Sequence, residues 1–70
     1  MSKLFPVVDG DEGGVAVFGY AATAKGAMRV ARRAWTADPI SHVEFYGPIH
    51  MPDGAVLPLA WVFITGPHDV

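Results

Sequence analysis

The chain has 70 residues, a formal net charge of −2, no cysteine, and 51% hydrophobic against 17% charged residues. That length admits one small domain, 1–70, and excludes a multi-domain enzyme; the missing thiols exclude disulfide staples, and three histidines without cysteine argue against a structural zinc site. A core of this size supplies no more than ~3–5 kcal/mol, so the apolar surplus is expected to be hidden in a homodimer or against a partner.

The opening Met1-Ser2-Lys3 leads into an apolar stretch interrupted by Pro6, so no secretory leader is expected. Leu4 to Val8 reads as a first strand. Pro6 cannot donate to a ladder, which places that strand at an edge or bulges it there. Asp9-Gly10-Asp11-Glu12-Gly13-Gly14 reads as a turn, its glycines supplying positive φ and its acids local turn bonds. Val15 to Tyr20 follows as a second strand, closing a hairpin.

Thr23 is placed to cap a helix from about Ala24 to Ala37. Ala24, Ala27, Met28, Ala31, Ala34 and Trp35 recur at helical spacing and form an apolar stripe of mostly small side chains, suited to close approach on a sheet. Gly26 weakens the first turn by about 1 kcal/mol relative to alanine. Asp38-Pro39 stops the helix, because a residue before proline is pushed out of the α region.

His42 to Tyr46 alternates as a third strand. Gly47 to Gly54 reads as a proline-pinned turn, and Leu57 to Thr65 as a fourth strand whose regular pairing begins after Pro58. The order strand, strand, helix, strand, strand predicts an α+β fold: ββαββ, a four-stranded antiparallel sheet with one helix on one face. The other face of such a sheet should be polar if it meets water. Strand four instead sets Leu57, Leu59, Trp61 and Phe63 against Ala60, Val62 and Ile64, with no polar side. The uncovered face is therefore expected to meet a partner. The longest nearly apolar run, Ala55 to Ile64, is far short of the ~20 residues that span a bilayer, so no membrane role is expected and the chain is placed in the cytoplasm.

The most informative constellation is charge. Lys25, Arg29, Arg32 and Arg33 fall at steps of four, three and one along the helix, on one face, with no acid inside the helix to compensate them. The acids gather instead at Asp9, Asp11 and Glu12. The cations are either a docking face for phosphates or an acidic protein surface, or a solvated face whose last turn complements the helix dipole. Phe18, Tyr20, Tyr46, Trp61 and Phe63 are candidates for the open sheet face, as a protein interface or as a platform for nucleobases.

Chemistry has fewer candidates. The spacing of Asp9, Asp11 and Glu12 fails that of a calcium loop, and His42, His50 and His68 have no short ligand spacing, so neither metal nor cofactor is expected. Gly19 to Lys25-Gly26 departs from a phosphate-binding loop, with Ala27 where a hydroxyl would hold the metal ion. Ser2 and Ser41 lack a nucleophile's context. No enzyme activity is expected.

Phe5-Pro6-Val7-Val8, the acidic glycine turn, Val15 to Phe18 and the alanine-spaced helix together resemble the start of a HicB-type antitoxin over the first half of the chain. In size and economy the whole is similar to small phage-encoded inhibitors of the anti-CRISPR kind. That resemblance implies a non-enzymatic protein that binds a larger host protein or ribonucleoprotein complex and occludes it; the polarised charge and the apolar surplus, rather than the resemblance, make Asp9, Asp11, Glu12, Tyr20, Tyr46, Trp61 and the four helix cations the expected contact set. The alternative is a small dimeric nucleic-acid-binding or antitoxin-like protein using the basic helix face.

Overall fold

The computed structural model describes residues 3–9, 15–36 and 39–65. Seven elements follow in chain order: β1 (Phe5–Asp9), β2 (Val17–Ala21), α1 (Ala24–Ala34), β3 (Ile40–Tyr46), β4 (Ile49–His50), β5 (Val56–Leu57) and β6 (Ala60–Thr65). The expected turn at 10–14, the predicted helix end at Ala37-Asp38 and the tail at 66–70 lie outside the described residues.

The fold is α+β with one helix, but its four-stranded sheet is mixed, ordered β2-β1-β6-β3. Antiparallel pairing holds for β1 with β2 and for β3 with β6. The central pair, β1 and β6, is parallel, with Val7 opposite Trp61 and Val8 opposite Val62. A parallel pair needs a long crossover, and here the connection from β1 to β6 carries α1 and the β3 arm. The all-antiparallel expectation came from pairing neighbours in sequence, and the β1·β6 pair joins the two ends of the described chain.

Pro6 does not make β1 an edge strand, because β1 lies between β2 and β6. The parallel ladder with β6 begins only at Val7, so Pro6 is matched to Tyr20 of β2 alone. The bulge falls one residue later, between Val7 and Val8. There β2 spends an extra residue, Phe18, against one step of β1.

α1 starts as its cap chemistry dictates. Thr23 is extended (φ −136°, ψ 162°) and its Oγ1 accepts the Gly26 N–H at 3.1 Å. The helix is shorter than its periodicity suggests, ending at Ala34 with Trp35 extended (φ −128°, ψ 108°) and its N–H donating to the Ala31 carbonyl. Leaving the helix lets Trp35 join Ile40 and Val43 against the core. Ala27 and Ala31 are fully buried, whereas Ala24 and Ala34 at the stripe's ends are exposed. Val30, outside the predicted stripe, packs on the core where Gly19 leaves room for it. A Cβ on Gly19 would stand 2.7 Å from the Val30 Cγ1.

The expectation of an open sheet face is overturned. Between β3 and β6 the chain makes a second, two-stranded sheet from β4 and β5, with Ile49 opposite Leu57 and His50 opposite Val56. The turn joining them is held by the Met51 N–H on the Ala55 carbonyl and the Ala55 N–H on the Asp53 Oδ1, with Gly54 at φ +94°. His50, expected in a turn, is therefore in a strand. Ile49, Leu57 and Met51 pack with Val8, Ala60 and Val62 into a second core on the face opposite α1. The first core, on the helix side, joins Val7, Ala21, Ala27, Ala31 and Phe63. β1 and β6 are buried on both faces, which is why neither side of them is polar.

Candidate functional site

The helix cations stand where the spacing places them. Lys25, Arg29, Arg32 and Arg33 are all exposed, and none takes part in an ion pair among the described residues. With Ala27 and Ala31 against the sheet, a period of 3.6 residues turns these cations away from it. Among the described residues, Lys25, Arg29, Arg32 and the half-buried Met28 line a shallow open cleft of about 410 Å³. Arg33 lies beside the cleft rather than in it. Met28, assigned at first only to the core stripe, thus forms an apolar floor between three cations. No acid occupies the first turn, and Arg32 and Arg33 complement the dipole in the last.

The aromatic set does not share one face. Phe63 is fully buried, and Phe18 packs on it with ring centroids 5.5 Å apart. Trp61 points to the helix side, where its Nε1 donates to the Ala21 carbonyl at 3.0 Å and its ring lies 4.4 Å from Phe45. Tyr20 and Tyr46 are exposed, but on the two outer strands of the sheet, β2 and β3. The expected contact set of Tyr20, Tyr46 and Trp61 is therefore not brought together on one face. Pro6 and Ala60 face the two tyrosines in register, and the β4–β5 hairpin packs on the sheet between them.

Further exposed apolar side chains lie at one end of the sheet, where β1 and β6 begin and β2 and β3 finish. Leu4 (59% exposed) and Leu59 are exposed there, with Phe45 on the helix side of β3 and with Tyr20 (60%) and Tyr46 on the opposite face, apart from each other on the two outer strands. Phe5 joins them through an edge-to-face contact with Phe45 at 4.9 Å, with the Lys3 ammonium 5.4 Å from the Phe5 ring. A second cleft of about 200 Å³ opens beside it, lined by Lys3, Phe5, Pro6, Leu57, Pro58 and Leu59. The sequence contains each of these residues, but their placement at the same end of the sheet depends on the parallel β1·β6 pair, which no local pattern signals.

Of the acidic candidates, Asp9 closes β1 half-buried, its N–H on the Ala16 carbonyl at 3.3 Å; Asp11 and Glu12 lie outside the described residues. Among the described residues no group of three His, Asp or Glu side chains could hold a metal ion. His42 is engaged on both ring nitrogens, Nδ1 with the Ser41 hydroxyl and Nε2 with Glu44 Oε2, each at 3.0 Å. His68 lies outside the described residues. No described helix is long and apolar enough to cross a membrane.

No protein family, curated protein or solved structure matches this chain.

Proposed function

We propose that this chain is a non-enzymatic protein-interaction module that docks α1 onto an acidic partner surface. The observation that carries this reading is the cleft in which Lys25, Arg29 and Arg32 surround Met28. Three unpaired cations suit carboxylates on a partner, and an adaptable thioether between them suits an inserted apolar side chain. A bare phosphate backbone would use the cations and leave the apolar floor unused, which favours a protein over a nucleic acid. The apolar sheet end takes the supporting role first given to the open face, since exposed apolar patches mark interaction sites.

Within this class we place the chain as an inhibitor, of phage or mobile-element type, that occludes a larger host complex handling nucleic acid. What supports this is a small fold that concentrates unpaired cations on one helix while its net charge stays at −2.

The test is a pull-down from nuclease-treated bacterial lysate with the wild type and an Arg29→Glu/Arg32→Glu variant, both exposed sites. A discrete multi-subunit complex should be retained by the wild type, with affinity at least about tenfold lower for the variant. Recovery of nucleic acid alone, lost on nuclease treatment, would transfer the helix to nucleic-acid binding. In that case affinity should fall with salt at a log–log slope of about −0.9 per phosphate neutralised on duplex DNA. A complex retained equally by both proteins would remove α1 from the interface.

A further inference from the structure

We infer that a second copy of this chain pairs with it along the outer edge of β3, antiparallel and centred on Val43. This stands apart from the helix cleft and goes beyond the docking reading. β3 is an outer strand of the sheet, and with seven residues it is the longest in the fold. No described residue pairs with its free side. Outer strands are normally blunted by short length, proline, charged side chains or a bulge, and the one carboxylate on β3, Glu44, is engaged by His42. β2, the other outer strand, carries Gly19 and the bulge at Phe18. β3 has neither glycine nor proline, and its one irregularity lies at the start, between Ile40 and His42.

Symmetry then selects the register. A two-fold axis through an antiparallel strand pair stands perpendicular to the sheet, so it keeps each residue on its own face. Facing residues must share a face, and side chains alternate along a strand. The only permitted registers therefore set some residue of β3 opposite its own copy. Centring on Val43, the middle of Ile40–Tyr46, gives the longest overlap, with His42, Val43 and Glu44 as its regular centre on both strands and the irregularity between Ile40 and His42 at its ends. In that register His42 faces the partner's Glu44, and Glu44 faces the partner's His42. Centring on His42 or on Glu44 would instead set like groups against each other and shorten the overlap. The longest pairing and the complementary pairing are thus the same one.

The side chains are already arranged for it. His42 and Glu44 lie on the face opposite α1, in register with Ile64 and Val62. They bond each other at 3.0 Å while remaining 50% and 52% exposed. Across the axis each carboxylate gains a second imidazole neighbour, and hydrogen-bonding side chains facing across strands are stabilising. The result is a continuous sheet with both α1 helices on one face, so both cation clefts open on the same side of the dimer.

The experiment is sedimentation equilibrium of the full chain over a wide concentration range, with circular dichroism to verify folding. The wild type should dimerise. Glu44→Lys should raise the dimer dissociation constant at least about tenfold by facing Lys with His, and His42→Glu/Glu44→Lys should restore association. The absence of native cysteine permits a direct register test by oxidative cross-linking. A mixture of His42→Cys and Glu44→Cys proteins should form a disulfide-linked heterodimer faster than either protein alone links to itself, because only the mixture sets the two thiols opposite each other. A wild type that is monomeric at every concentration, a dimer indifferent to Glu44→Lys, or a mixture that links no faster than its components would each overturn the proposal.

Discussion

Trp35 and Trp61 show how much a residue's role depends on one polar atom. Both are half-buried and both pack against the helix-side core. The Trp61 Nε1 donates to the Ala21 carbonyl across 40 residues of chain, whereas the Trp35 Nε1 is buried with no hydrogen-bond partner among the described residues. Removing a bonded donor strands its acceptor, while removing an unbonded one relieves a desolvation cost. Trp61→Phe should therefore lower stability by about 1–3 kcal/mol, and Trp35→Phe should stay within about 1 kcal/mol of the wild type. Urea unfolding followed by circular dichroism measures both, and equal losses would show that ring volume, not the hydrogen bond, sets the cost of each substitution. Both tryptophans read alike in the sequence, as large side chains in apolar patterns. Which one finds an acceptor depends on the position of a carbonyl on another strand.

At the scale of elements, the seating of α1 on the sheet is set by small residues on both sides. Ala27 and Ala31 bring the helix close, and Gly19 receives Val30. Gly19→Ala would drive a methyl into Val30 and should cost about 1–3 kcal/mol by overpacking. The same change in a Val30→Ala background should cost much less, and a double-mutant cycle in urea reads that coupling. Additive losses would mean that Gly19 is needed for its backbone rather than for the space it leaves. The cap at Thr23 and the alanine stripe were legible because both are local patterns of spacing and side-chain chemistry. Val30 was not, since its partner is a gap on β2. The helix end was missed for a similar reason: Trp35 leaves the helix to reach β3, a tertiary contact that overrides helical propensity.

The whole molecule has two cores, one on each face of the same sheet, with β6 supplying Phe63 to one and Val62 to the other. The β4–β5 hairpin is short, yet it closes the second core through Ile49, which is only 9% exposed. Ile49→Ala should cost about 2–4 kcal/mol, most of what a fold of this size holds in reserve. Thermal unfolding should then begin well below the wild-type transition. A loss under about 1 kcal/mol would show that the hairpin is an appendage rather than a cover. This second core absorbs much of the apolar surplus that had pointed to a large open face. What remains exposed among the described residues is narrower: side chains at the sheet end such as Leu4, Tyr20 and Phe45, Val17 and Phe18 on β2, Val56 on the hairpin, and the free edge of β3.

By itself the sequence determined the α+β class, the chain order of the principal strands and helix, the N-cap at Thr23, and a helix face bearing Lys25, Arg29, Arg32 and Arg33. These follow from periodicity and from side chains acting on their own neighbourhood, forces that operate over a few residues. The tertiary structure decided which strands pair and in which direction, and hence which face each apolar side chain serves. It placed β6 parallel to β1, folded β4 and β5 over the face expected to be open, and gathered residues from β1, β2, β3 and β6 at one end of the sheet. Strand pairing joins residues far apart in the chain, and its register is selected by total burial rather than by any local pattern. The cations of the proposed docking face could therefore be read directly, while the Met28 floor, the apolar sheet end and the free edge of β3 required the fold.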